Sequence, residues 1–167
     1  MSKIQPVRIE LTPTNVALAT RVGVLRFKMS RTAGLNPHQS QEGRSDEHRI
    51  WHETLGCMAE AAVAQHLGIA YPGTVNTFHS VPDVGPFEVR ATDRVNGCLI
   101  VRDNDPPERP YVLVVGDGRR PVVELRGWLF GHEARDQRWL RNPHGRRPCW
   151  MVPQQFLRPV PEVAGVR

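Results

Sequence analysis

The chain has 167 residues, of which 40% are hydrophobic and 23% are charged, so it is long enough to form one domain with a buried core. No apolar run approaches the roughly 20 residues that a membrane span needs, and the first residues lack the apolar core of a signal peptide. The three cysteines are far apart without CxxC spacing, which argues against a disulfide framework or a zinc knuckle. We therefore expect a cytoplasmic domain with reduced thiols and no membrane contact.

The net charge of +5 comes mainly from arginine, because the only lysines are Lys3 and Lys28. Arginine makes bidentate contacts with phosphate, so a basic domain of this kind favours nucleic acid or another polyanion as its partner. A GC-rich genome also replaces lysine with arginine. The composition does not choose between these two explanations.

The N-terminal part predicts a short strand and a helix. Residues 6–11 form the strand, after which Thr12 is a good helix cap and Pro13 suits the first helical position. Apolar residues recur at helical spacing to about Ser30. A polar loop follows at 32–44, and we assign it no function.

A second helix is predicted from Ser45 or Asp46 to Leu67. Gly56 lies in its middle, where glycine costs helix stability, so we expect another segment to pack closely against the backbone there. Glu60 lies one turn further along the same polar face. The buried stripe of this helix is predicted to consist of Trp51, Leu55, Met58 and Ala62.

The middle of the chain predicts strands. Val95-Asn96-Gly97 predicts a hairpin turn, and 103–110 predicts a turn because two prolines lie in its middle. Gly127 is expected to form a bulge that turns Trp128 inward. We predict one α/β domain in which helices flank a mixed sheet of about five strands. The strand segments are 74–79, 87–92, 98–102, 111–116 and 122–130.

The C-terminal segment is rich in arginine and aromatic residues. A short helix is expected at 132–140 and a last strand or extended arm at 150–156. Arginines among aromatic rings suit contacts with phosphates and exposed bases, although a surface loop anchored by its tryptophans explains the pattern equally well. The candidate nucleic-acid-binding residues are Arg138, Arg141, Arg146 and Arg147.

Two carboxylates and one cation are predicted to meet at the start of the strand at 87–92. Asp83 ends a polar turn just before this strand, while Glu88 and Arg90 share one face of it because they are two residues apart. Hard cations such as Mg²⁺ prefer oxygen ligands and often take only one or two carboxylates. A metal ion there would polarise a phosphodiester and lower the pKa of an attacking water.

Pro82-Asp83 followed by Glu88-Val89-Arg90 resembles the active-site signature of the PD-(D/E)xK nucleases, the restriction-endonuclease-like superfamily. The resemblance implies a restriction-endonuclease-like core. It also implies that Asp83, Glu88 and the main-chain carbonyl of Val89 bind Mg²⁺ or Mn²⁺, while the residue at position 90 orients or activates the nucleophilic water.

One further residue fits the resemblance to this superfamily, and one departs from it. Glu60 corresponds to the glutamate that a preceding helix supplies in this superfamily, so the resemblance implies that it faces the metal and belongs to the catalytic set. Arg90 stands where the superfamily has lysine, and arginine can hold a phosphate but is a poor proton acceptor. The resemblance covers about 45–130 of a single nuclease-like domain over 1–167, with an arginine-rich extension at 131–167.

We therefore expect a metal-dependent nuclease that cleaves phosphodiester bonds of nucleic acid, DNA in the first place, by metal-activated water. One alternative is a catalytically inactive protein of the nuclease fold, from a phage or mobile element, that binds nucleic acid or a nucleoprotein partner. Another is a small structural or adaptor protein in which the motif is a coincidence. Because many such nucleases pair to cut two strands, the resemblance also suggests a homodimer.

Overall fold

Two long helices come before most of the strands. The computed structural model describes residues 5–34, 43–75, 80–145 and 147–161. In chain order, the elements are β1 (Val7–Glu10), α1 (Pro13–Thr32), α2 (Asp46–His66), β2 (Glu88–Thr92), β3 (Leu99–Val101), β4 (Pro110–Gly116), β5 (Val122–Phe130), α3 (Gly131–Ala134), β6 (Leu140–Arg141) and β7 (Cys149–Val152).

The strands form two sheets, not the single sheet of about five strands that the sequence predicts. The first is four-stranded and mixed, in the order β1-β5-β4-β2, with β2 parallel to β4 and the other pairs antiparallel. The second is three-stranded and antiparallel, in the order β3-β7-β6. The mixed α/β class is confirmed, whereas the restriction-endonuclease-like core stays a prediction.

Both long helices begin at the caps that the sequence predicts. The Thr12 side chain accepts a hydrogen bond from the Asn15 N–H, and the Ser45 side chain accepts one from the His48 N–H, each at 3.2 Å. The second half of α2 is buried on all sides because α1 covers one side and β2, β4 and β5 cover the other. Within the described ranges, no helix is both long and apolar enough to cross a membrane. Of the predicted α2 stripe, Leu55, Met58 and Ala62 are buried and Trp51 is half-buried.

An apolar cluster covers each face of the four-stranded sheet. Val112 and Val114 of β4 face the helices, while Tyr111 and Leu113 face the three-stranded sheet. All five residues 111–115 are buried, as expected for a strand that is covered on both faces. β2 therefore lies at one edge of this sheet, between the two layers that pack on it.

The bulge that the sequence predicts at Gly127 is confirmed. Gly127 has a φ of 136°, and the register between β4 and β5 shifts opposite it. Val123 and Leu125 face the helices before the bulge, and Trp128 does so after it. The shift of one residue thus turns Trp128 toward the helix-side core.

The turn predicted at 95–97 is present, but the hairpin pairing of the strands on either side of it is wrong. A turn is present, because the Gly97 N–H donates to the Arg94 carbonyl oxygen at 2.8 Å. However, β3 pairs with β7 and not with β2. Leu99 and Val101 are fully buried in the cluster under the three-stranded sheet. This burial favours the pairing of β3 with β7, which lies in that sheet.

Three other segment predictions are changed by the structure. Thr74 and Val75 are not part of a strand, and the rest of the predicted strand, 76–79, lies outside the described residues. The predicted helix at 132–140 is interrupted after α3 and resumes as a 3-10 turn at Gln137–Trp139. The predicted last strand is the shorter β7, followed by a 3-10 turn at Gln154–Phe156.

The close helix contact occurs at Gly23 of α1 and not at Gly56 of α2. A Cβ atom on Gly23 would lie 2.7 Å from Oγ1 and 2.8 Å from Cα of Thr54. A Cβ atom on Gly56 would meet nothing within 4 Å in the described part of the chain, so the sequence-based expectation of close packing there is wrong. Gly23 therefore allows α1 to approach α2.

We expect Gly23→Ala to lower the free energy of unfolding by about 1–3 kcal/mol, because the new methyl group overlaps the backbone of Thr54. Gly56→Ala is the matched control and should raise it by about 0.5–1 kcal/mol, since alanine is the better helix former. Urea unfolding measures both. Equal stability of Gly23→Ala and the wild type would show that the helices do not cross as closely as described.

Candidate active site

A tight turn positions Asp83 beside the edge of β2 that faces away from β4. Val84 and Phe87 close the turn through reciprocal main-chain hydrogen bonds of 3.0 and 2.9 Å, and Gly85 adopts a φ of 54° within it. Asp83 Oδ2 accepts a hydrogen bond from the Val89 N–H at 2.8 Å. In an extended strand, the N–H and C=O of one residue point to the same edge. The Val89 carbonyl oxygen therefore points to the side of the strand where Asp83 lies.

Glu88 and Arg90 lie on the face of β2 that packs against the three-stranded sheet. Glu88 is 4% exposed; its Oε1 accepts a hydrogen bond from Arg109 at 2.5 Å, and its Oε2 lies 4.0 Å from Arg90 Nη1. Arg90 Nη2 lies 3.0 Å from Asp105 Oδ1, and its guanidinium stacks on the Tyr111 ring, 5.0 Å from the centroid. The two side chains share a face as predicted, but within a network of ion pairs.

Glu60 lies on the helix side of the sheet. Arg26 of α1 binds its two carboxylate oxygens at 2.6 and 2.8 Å, and the Tyr71 hydroxyl donates to it at 3.4 Å. The same guanidinium donates to the Thr74 carbonyl oxygen at 2.7 and 2.9 Å. Glu60 is thus fixed by an arginine that also holds the segment after α2.

Asp83 influences both Glu60 and Glu88. Its charge acts electrostatically on Glu60 and also on Glu88. Among the described residues, Asp83 makes no ion pair, whereas Glu60 and Glu88 are each paired with an arginine. Glu60 and Glu88 thus lie on opposite faces of the sheet, and the charge of Asp83 raises the pKa of both.

Burial and charge determine the protonation of these groups. Burial raises the pKa of the Glu60 carboxyl, although the hydrogen bond from Arg26 opposes this effect. Burial likewise raises the pKa of Glu88, and the hydrogen bond from Arg109 opposes it. Burial alone lowers the pKa of Arg90, but the negative charges of Asp105, Asp83 and Glu88 outweigh it, so its pKa is raised. Arg90 is therefore a fixed positive charge and not a proton acceptor.

The oxygen atoms at the edge of β2 suit a hard cation. No three His, Cys, Asp or Glu side chains of the described residues are grouped to hold a metal ion. Two carboxylates with a main-chain carbonyl are nevertheless a suitable set for Mg²⁺, which usually keeps several waters. Asp83, Glu88 and the Val89 carbonyl are the groups of this type that lie at the start of β2. One oxygen of the Glu88 carboxylate is already bound by Arg109.

Three charged residues of this network were not predicted from the sequence. Arg109 directly precedes β4, and Tyr111 of β4 lies opposite Glu88 in the parallel register. The signal that could have placed Arg109 near Glu88 is its position just before an apolar strand. Asp105 was expected to be a turn residue only. It does accept a hydrogen bond from the Arg102 N–H at 2.8 Å, but it also pairs with Arg90. No pattern in α1 distinguishes Arg26 from its other basic residues.

Two of the predicted nucleic-acid-binding arginines lie around the 3-10 turn after α3. Arg138 Nε is 3.1 Å from Asp136, and its guanidinium stacks on Trp139 and Phe156 at 4.3 and 5.5 Å from the ring centroids. Arg141 donates to two main-chain carbonyl oxygens of the same turn, both at 2.8 Å. Aromatic rings therefore do anchor this segment, while the Arg138 side chain stays 60% exposed.

The third predicted arginine connects this segment to the acidic cluster. Arg147 pairs with Asp103 at 3.2 Å, and Asp103 belongs to the turn that also carries Asp105. Arg146 lies outside the described residues. The basic segment is therefore adjacent in space to the turn that holds Arg90.

Comparison of the chain with protein-family models, with curated proteins and with solved structures finds no match. The interpretation of the site therefore depends on its own geometry and chemistry.

Proposed function

We propose that the protein is a metal-dependent nuclease that hydrolyses phosphodiester bonds of nucleic acid, with DNA as the expected substrate and Mg²⁺ or Mn²⁺ as the cofactor. The proposal is supported by the position of Asp83 against the edge of β2, where it accepts the Val89 N–H at 2.8 Å and acts electrostatically on Glu88 of the same strand. The carboxylates of Asp83 and Glu88, with the Val89 carbonyl, are the set of oxygen atoms that the resemblance to PD-(D/E)xK nucleases implies.

The charge of the cluster supports a need for a cation. Among the described residues, Glu60, Glu88 and Asp105 are each paired with an arginine, whereas Asp83 makes no ion pair that would offset its negative charge. A phosphodiester is an anion, so it is repelled by such a site. When bound, a divalent cation would reverse the local charge, polarise the phosphodiester and lower the pKa of an attacking water.

Each residue of the cluster has a distinct role in this proposal. Asp83 and Glu88 hold the cation together with the Val89 carbonyl. Glu60 is fully engaged by Arg26, so it contributes negative charge near Asp83 and not a direct metal bond. Arg90 stays protonated and stabilises the negative charge that grows on the phosphate in the transition state.

The arginines after α3 are proposed to bind the nucleic-acid backbone. Arg138 and Arg147 keep 60% and 58% of their side chains exposed despite their ion pairs, and such exposed pairs are weak enough to exchange for phosphate. Arg141 and Arg146 complete the set as predicted from the sequence. Because Arg147 pairs with the turn that carries Asp105, a bound backbone would run toward the acidic cluster.

A cleavage screen tests the proposal. The purified protein is incubated with duplex DNA, single-stranded DNA and RNA, each with Mg²⁺, with Mn²⁺ or with EDTA. We expect cleavage of DNA that requires a divalent cation and stops with EDTA. Cleavage that persists in EDTA, or none on any substrate, contradicts the proposal.

The alternative is a nuclease-fold protein that binds nucleic acid without cleaving it. The observation in its favour is that Arg90 replaces the motif lysine and is fixed by Asp105. Arg90→Lys separates the two functions. We expect the parent protein to cleave already, whereas cleavage gained only by Arg90→Lys would favour the binding protein. Salt-sensitive affinity for DNA is expected in both cases.

A further inference from the structure

The turn that follows β3 is bound by an arginine from another part of the chain. Arg135 directly follows α3, and its Nη2 donates at 3.0, 3.0 and 2.5 Å to the main-chain carbonyl oxygens of Arg102, Asp103 and Asp105. The guanidinium of Arg135 also lies over the Trp150 ring of β7, 5.4 Å from its centroid. Arg135 therefore joins the turn to α3 and to the three-stranded sheet.

Asp105 connects this turn to the ion pairs on β2. Its Oδ2 accepts a hydrogen bond from the Arg102 N–H at 2.8 Å, and its Oδ1 lies 3.0 Å from Arg90 Nη2. Asp105 is 2% exposed, so its carboxylate is fixed by these contacts and not by water. The position of the Asp105 carboxylate thus depends on the turn, and the turn is held by Arg135.

Asp105 also determines which carboxylate Arg90 contacts most closely. Arg90 Nη1 lies 4.0 Å from Glu88 Oε2, so the pair with Asp105 is the shorter of the two. The Nε of Arg90 is buried and has no hydrogen-bond partner in the described part of the chain. If Asp105 moved away, the attraction of Glu88 would draw the guanidinium toward a proposed cation ligand.

We propose that Arg135 is a positioning residue of the candidate active site: by holding the turn that carries Asp105, it keeps Arg90 on Asp105 and away from Glu88. Arg90 is then placed to face the phosphate, and no second arginine is added to Glu88. This inference rests on the proposed nuclease function. In this role Arg135 acts through Asp105 and needs no contact with the cation or the substrate.

Arg135→Met tests the inference, because it removes the charge and the donors while keeping an unbranched side chain. We expect its cleavage rate at saturating DNA to fall by about 10- to 100-fold, the usual effect of losing a group behind an active-site residue. KM for DNA should not change, since Arg135 is not one of the proposed DNA contacts. By calorimetric titration, Mn²⁺ affinity should fall by about tenfold, because Arg90 then competes for Glu88.

The matched control is Arg158→Met. Arg158 also lies over a tryptophan ring, 5.3 Å from the centroid of Trp128, and it pairs with Glu133 of α3. Its side-chain contacts among the described residues do not include the turn after β3. Arg158→Met should therefore match the wild type in cleavage rate and in Mn²⁺ affinity.

A double-mutant cycle with Arg90→Met separates positioning from a general structural effect. In the Arg90→Met background, Arg135→Met should change neither the cleavage rate nor the Mn²⁺ affinity, because no guanidinium is left to position. Arg135→Lys should restore most of the wild-type rate, since an ammonium group offers three donors for the three carbonyl oxygens.

Asp105→Asn is the second variant, used if thermal unfolding shows that Arg135→Met is not folded. Asparagine still accepts the Arg102 N–H but lacks the charge that attracts Arg90. We expect the same losses of cleavage rate and Mn²⁺ affinity, again abolished by Arg90→Met.

Two kinds of result overturn the role of Arg135 alone, in a wild type that binds Mn²⁺ and cleaves. One is a wild-type cleavage rate or Mn²⁺ affinity in folded Arg135→Met or, where that variant is unfolded, in Asp105→Asn. The other is an equal loss of rate with and without Arg90. A wild type that neither binds Mn²⁺ nor cleaves nucleic acid overturns the nuclease function as well.

Discussion

Asp83→Asn is expected to reduce metal-dependent cleavage by at least about 10²-fold, the effect of removing one group that organises charge in an active site. Asp83 is the carboxylate of the cluster that makes no ion pair in the described part of the chain, and its Oδ2 is fixed by the Val89 N–H. Asparagine still accepts this hydrogen bond through its amide oxygen, so the turn before β2 should persist. What is lost is the negative charge that holds a cation.

The control for this variant is Asp117→Asn, an aspartate in the turn after the opposite end of β4. Asp117→Asn should cleave at the wild-type rate, and circular dichroism should show that both variants are folded. If Asp83→Asn cleaves as fast as the wild type, Asp83 does not bind the catalytic metal, and the proposed site has to be abandoned.

Arg26→Met is expected to lower the free energy of unfolding by about 3 kcal/mol, because it leaves the carboxylate of Glu60 buried without its partner. The pair is strongly shielded from water, with 19% of the Arg26 side chain and 7% of the Glu60 side chain exposed. The loss also frees the Thr74 carbonyl oxygen, to which Arg26 donates. Urea unfolding, monitored by tryptophan fluorescence, measures the change.

The matched control is Arg31→Met in the same helix. Arg31 pairs with Asp46, but 65% and 51% of these two side chains are exposed, so its loss should cost about 0–1 kcal/mol. The double variant Arg26→Met with Glu60→Met should recover much of the stability, since an apolar pair of similar volume replaces a buried ion pair well. Equal effects of Arg26→Met and Arg31→Met would show that the Glu60 pair is no more buried than the surface pair.

The features that follow from local chemistry were predictable from the sequence. Thr12 and Ser45 cap their helices through their own side chains, and the apolar run at 111–116 is a strand covered on both faces. The bulge at Gly127 was predictable because it involves only the β4–β5 pair and the conformation of one glycine.

The features that depend on distant partners were not predictable. The pairing of β3 with β7 joins segments about 50 residues apart, and nothing near Leu99 indicates it. Gly56 and Gly23 look alike in the sequence, yet only Gly23 meets the neighbouring helix. The shared face of Glu88 and Arg90 on β2, with Asp83 in the turn before it, was predictable because all three residues lie within one short stretch of chain. Their arginine partners come from other elements, so the ion-paired state of the site could not be foreseen.

Calorimetric titration of Mn²⁺ into the wild type and into Asp83→Asn, each with and without a short DNA duplex, tests the proposed metal site most directly. We expect the wild type to bind Mn²⁺, more tightly with DNA because a phosphate completes the ligand shell, and Asp83→Asn to lose this binding. Equal binding by both proteins would place the metal elsewhere. No binding by the wild type, even with DNA present, would contradict a metal-dependent nuclease at the edge of β2.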